Sequence, residues 1–110
     1  MKRISSKRAK ACAIPKAVKE RVWERDNHCC VYCHSLNAAP NAHFIRRSHS
    51  GAGIEENILT LCPACHYQFD SGPKEAREEM YRYFRDYLKI FYHDWDEQNL
   101  IYRKDDPRWL

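Results

Sequence analysis

Four of the six cysteines form two Cys-x2-Cys pairs, Cys30-Val-Tyr-Cys33 and Cys62-Pro-Ala-Cys65. Two such pairs supply a tetrahedral four-thiolate set for one structural Zn2+. Paired in this way they favour a metal in a reducing compartment over disulfides. Cys12 and Cys29 are left over, and Cys30 rather than Cys29 gives the usual two-residue gap. Three further residues fall among the knuckles: His43, Asn57 and, directly after Cys65, His66. A neutral imidazole, with an ordinary pKa of about 6.5, can take a proton from water. Four cysteines already satisfy one zinc, which leaves His66 free for a second ion. Asp70 stands one helical turn beyond His66, on the same face. Its carboxylate suits a hard ion such as Mg2+ or Mn2+, and its other reading is a turn residue before the next helix. This set points to metal-dependent hydrolysis of a phosphodiester.

The elements that must position these groups are short. Residues 1–13 are Lys, Arg, Ser and Ala without apolar period and read as a basic disordered arm. Pro15 suits the first turn of a helix that carries Val18, Val22 and Trp23 to about Arg25. Ala42 to Ile45 and Ile58 to Leu61 read as two short strands, separated by a loop holding Gly51 and Gly53. Pro63 opens a short helix bearing Cys65, His66 and Asp70, and Gly72-Pro73 breaks it. A long helix from Pro73 to about Trp95 carries Met80, Phe84, Tyr87, Leu88, Phe91 and Trp95 at steps of three and four. That stripe packs on the rest of the chain or on a second copy; base stacking is its less economical use.

The chain has 110 residues, enough for one domain whose modest core gains from a metal staple. The division expected is a basic arm (1–13), a metal-finger domain (14–72) and a helical extension (73–110). No apolar run is long enough for a membrane span, and the basic start lacks the apolar stretch of a secretory signal, which together favour a cytoplasmic protein. Charge is uneven. Residues 1–25 hold nine Lys or Arg against two Glu, whereas residues 73–110 hold eight basic against nine acidic residues. A cationic arm containing Lys7, Arg8 and Lys10 favours a phosphate backbone as partner, with a solubility tail as the plainer reading.

The run from about Pro15 to Asp70 resembles the HNH endonucleases. The resemblance is carried by Val18-Lys-Glu-Arg-Val-Trp-Glu-Arg-Asp26, Asn41-Ala-His43-Phe-Ile-Arg-Arg-Ser48, Gly51-Ala-Gly53 and Glu56-Asn57-Ile-Leu-Thr-Leu-Cys62-Pro-Ala-Cys-His66. It is closest to the small stand-alone proteins of phages and prophages. It implies an α+β fold: a zinc-stapled ββα-metal finger with an N-terminal helix and a long C-terminal helix. It further implies a DNA endonuclease of a bacterial or phage-infected cell, with His43 as general base and Asn57 holding the imidazole through its side-chain carbonyl or the backbone near it. His66 and Asp70 would ligate a catalytic Mg2+ or Mn2+, with Ni2+ or Zn2+ as alternatives. Arg46 and Arg47 beside the glycine loop would grip DNA phosphates. The chain departs from the pattern at Ala42, where many family members carry an Asp or His ligand. Asn41, His49, water or the phosphate would then complete the ion's shell, or His43 would itself be a ligand. Two other functions stay open at this point: a non-catalytic zinc-finger module that binds nucleic acid, and an inactive adaptor. The long helix would then serve a homodimer or a phage packaging protein.

Overall fold

The computed structural model describes residues 6–109. Residues 1–5 of the expected arm lie outside that range. The remainder of the arm is not the disordered tail its composition predicts: Lys7–Cys12 is a helix, α1, capped by the Ser6 side chain, which accepts from the Ala9 N–H. Six residues are too few to display an apolar period, so composition alone could not reveal it.

Helix α2 spans Lys16–Arg25 and buries Val18 and Val22. Strands β1 (Ala39–His43) and β2 (Ile58–Leu61) pair antiparallel, with Ala42 opposite Leu59 and His43 opposite Ile58. β1 therefore begins three residues before the expected Ala42, and its register shifts between Ala39 and Ala42. Every residue of β2 is buried, because α2 packs on the same small sheet. Helix α3 (Pro63–Ser71) starts at the second knuckle, and α4 (Lys74–Phe91) follows after Gly72-Pro73. α4 ends four residues earlier than its apolar stripe predicts: Trp95 lies beyond it and donates its indole N–H to the Glu56 carbonyl at 2.9 Å.

The stripe packs within its own chain, against α3 and the end of β1. Met80, Phe84 and Leu88 are buried, and Phe84 meets Phe69 edge-on with ring centres 4.9 Å apart. Phe44 stacks on Tyr81 and meets the Trp95 ring edge-on. A buried carboxylate fixes α2, β2 and α4 together. Asp26 accepts from the Tyr87 hydroxyl at 2.7 Å and from the Thr60 N–H at 2.9 Å, and it pairs with the Arg25 guanidinium at 2.8 Å. The tail returns to the glycine loop, where the Ala52 N–H donates to the Leu100 carbonyl and the Tyr102 N–H to the Ser50 carbonyl. Within the loop, Gly51 lets the chain fold back on the end of the first strand, since a Cβ there would stand 1.6 Å from the Ile45 carbonyl oxygen. The result is a small α+β molecule with a two-stranded antiparallel sheet. Among the described residues no helix is long and apolar enough to cross a membrane.

Candidate functional site

The two knuckles converge as their spacing predicts. The sulfurs of Cys30, Cys33, Cys62 and Cys65 all lie within 4.8 Å of one another, a group that can hold a metal ion. Four thiolates about 2.3 Å from one zinc stand roughly 3.8 Å apart in a tetrahedron. The 3.5 Å between the Cys33 and Cys62 sulfurs fits such a shared ion. Thiolates that each bound a different iron of a cluster would have to spread wider.

Local backbone shapes both halves of this group. The first knuckle closes when the His34 N–H donates to the Cys30 carbonyl at 2.9 Å, with His34 in the left-handed region at φ 68°. In the second, Cys62 is the N-cap of α3, and its sulfur accepts from the Cys65 N–H at 3.4 Å. Pro63 follows at the first helical position, where its missing N–H has no partner to lose. Burial works to raise the Cys30 thiol, yet backbone N–H groups directed at it hold it down at about 7. Cys65 is pushed well up, by burial first and then by hydrogen bonds with the neighbouring thiols. A cation placed among these sulfurs would relieve that mutual opposition and draw the protons off.

An open pocket of about 420 Å3 is lined in part by α3, the helix that carries the second knuckle. It brings together His43 from β1, His66 and Asp70 from α3, and Arg46 and Arg47 from the turn after β1. Lys19 of α2, Asn41 of β1, and Ala13 with Ile14 of the first linker complete the wall. His66 Nε2 is 3.2 Å from Asp70 Oδ2, across one turn of helix. That separation suits two donors sharing one divalent ion, each about 2.0–2.2 Å from it. It equally suits a surface ion pair when His66 is protonated. Asn41 lines the same pocket as His66 and Asp70, whereas His49 lines a separate hollow with Phe44 and Arg77.

His43 is aimed by a group the sequence does not reveal. Its Nε2–H donates to the Cys12 carbonyl at 2.8 Å, at the end of α1. A carbonyl can only accept, so this bond fixes the tautomer and leaves Nδ1 with its lone pair. Burial pushes the His43 pKa below the ordinary imidazole value, the charges of Arg47 and His66 act in the same sense, and Cys12 and Asp70 oppose them.

Asn57 makes no side-chain hydrogen bond to His43, which corrects the first of the two ways expected of it, whereas its backbone carbonyl accepts from the Phe44 N–H, next to His43, at 2.7 Å. It is fully buried, and its side chain accepts from the Ile45 N–H at 2.7 Å and donates to the carbonyls of Ile45 and Ala52. It fastens the glycine loop to the end of β1. Nothing in its sequence position distinguished this from a contact with the imidazole. Arg46 lines the pocket while donating to the Asp70 carbonyl at 3.0 Å. Arg8 is occupied within the fold, donating to the Ser50 hydroxyl at 2.8 Å and to the Arg47 carbonyl. Lys7 and Lys10 are exposed on α1, outside the pocket.

No family model matches this chain, and no solved structure matches it. It is similar to Anaredoxin from Nostoc sp. (strain PCC 7120 / SAG 25.82 / UTEX 2576), with 29% identity over 66 residues, which covers 59% of this chain and 84% of that protein. That relative is named as a redoxin and not as a nuclease. The expectation of a metal-dependent DNA endonuclease is corrected on this finding, and no hydrolytic role is assigned to His43, Asn57, His66 or Asp70.

Proposed function

We propose that this chain is a small metal-stapled protein that binds the phosphate backbone of nucleic acid, DNA in the first instance. The observation that carries the reading is the pocket itself. Lys19, Arg46 and Arg47 converge there with two imidazoles and a single carboxylate, and the helix bearing that carboxylate also carries Cys65 of the four-cysteine group. Guanidinium groups grip phosphate oxygens in pairs, and a divalent ion on His66 and Asp70 would add a further contact to the same oxygens. The four-cysteine ion of this proposal is zinc, because its role is to hold the knuckles and no change of charge is asked of it. The order β1, β2, α3, with His43 on the first strand and His66 on the helix, supports a finger of the ββα-metal type. The binding needs that frame and no reaction.

The test is equilibrium binding of a labelled DNA duplex as salt is varied. Wild type should lose affinity steeply with salt, and replacing Arg46 and Arg47 together by Ala should flatten the log–log slope by about 2, one phosphate per arginine. Binding that ignores salt, or an unchanged slope in the double variant, overturns the reading.

A second reading places iron in the same four cysteines, where it would exchange one electron. The similarity to a protein named Anaredoxin favours it, and the exposure of Cys33 brings the site edge to the surface. Visible absorption that bleaches on reduction would select iron; a colourless protein selects zinc.

A further inference from the structure

A shallow groove of about 330 Å3 adjoins the phosphate pocket and shares Lys19 with it. Its floor is apolar, made by Trp23 of α2 with Ala39 and Pro40 of β1, and Lys16 and Glu20 stand at its rim. The indole is held in place: its ring lies parallel to that of His28, 4.9 Å between centres, and His28 Nε2 is 2.8 Å from the Glu24 carboxylate. A partly exposed tryptophan fixed this way faces little loss of freedom when a flat partner arrives. The fully buried side of α2 is carried by Val18 and Val22, and Trp23 is half-buried at its edge.

Resting on the nucleic-acid reading above, we propose that this groove takes one unpaired base of a strand whose phosphate occupies the neighbouring pocket. Three features select that occupant. The groove is open and offers an indole beside Ala39 and Pro40, an apolar lining of the kind a base face stacks on. It is continuous with the cationic pocket through Lys19, so base and phosphate of one strand can be engaged together. Lys16 and Lys19 also present two ammonium groups where the flanking phosphates would run. In a duplex the bases are stacked and paired, and Trp23 has no base to receive.

The experiment measures anisotropy of a labelled single-stranded oligodeoxynucleotide and of the corresponding duplex on the full-length, metal-loaded protein. Trp23→Ala should weaken the single strand roughly tenfold or more, as expected for one lost aromatic stack, and leave the duplex within about twofold. Trp23→Phe should retain most of the single-strand affinity. A strand carrying 2-aminopurine should be quenched on the unsubstituted protein, which keeps the test independent of any variant's folding. Equal loss on strand and duplex, single-strand affinity unchanged in Trp23→Ala, or unquenched 2-aminopurine would each overturn the groove's assignment. Loss of binding in the Arg46/Arg47 variant with none in Trp23→Ala would overturn the groove and leave the phosphate pocket standing. Absence of any binding by the wild type would overturn both.

Discussion

His43 has one nitrogen committed to the Cys12 carbonyl and the other available at the pocket wall, in a place where burial penalises its charged form. The sign of the pH effect follows. With a folded-state pKa below the ordinary 6.5, the neutral ring's contribution is complete above about pH 6.5 and is lost as pH falls through the lowered value. His43→Gln can keep an N–H donor for Cys12 but does not titrate. Between pH 7.5 and 5 wild type should therefore lose thermal stability relative to His43→Gln, and comparison within the pair cancels the acid sensitivity of the thiolates. Parallel curves would show that His43 is not desolvated. At this scale the i,i+4 spacing of His66 and Asp70 is legible in the sequence, whereas their meeting with His43, Arg46 and Arg47 is expected only from the family resemblance and is made by the packing of α3 against the end of β1. The sequence does not disclose Asn57's partners. An amide has donors and an acceptor to satisfy, and which it meets depends on how the loop from Ser48 to Gly53 folds back on Ile45.

Among the elements, α1 shows how a segment without sequence pattern is ordered by its docking site. Its last turn delivers the Ala11 carbonyl to the Gly53 N–H at 2.8 Å and the Cys12 carbonyl to His43, and Cys12 is fully buried. Gly53 is required for this approach: a Cβ there would stand 1.9 Å from the Ala13 carbonyl oxygen. Gly53→Ala should displace α1 and remove both hydrogen bonds, a loss of about 1–3 kcal/mol at roughly 0.5–1.5 each. Urea unfolding would read it, together with faster proteolysis between Arg8 and Lys16; unchanged stability would mean that α1 is not docked through Gly53. The knuckles and α3 are legible for the opposite reason. Cys-x2-Cys, Pro63 and the i,i+4 pair are local signals, whereas the bond from Gly53 to Ala11 joins residues 42 positions apart and leaves no periodic trace.

For the molecule as a whole, the four-cysteine group stands where β2, α3 and the loop before β1 meet, next to the cluster of Phe69, Met80, Phe84 and Leu88. An ion there would tie the two Cys-x2-Cys turns together, with α4 packed against α3. The pocket's shape then depends on the staple, because α3 carries Cys65 toward the ion and His66 with Asp70 toward the pocket. Metal binding of this kind is part of the folding free energy. The most direct test is native mass spectrometry of the full chain, with circular dichroism before and after chelation and with Cys62→Ser alongside. One zinc ion per chain is predicted on the four cysteines, with loss of tertiary structure when it is withdrawn and failure of Cys62→Ser to hold it. A well-folded chain that carries no metal, or a Cys62→Ser protein as metal-loaded and stable as wild type, would contradict the account.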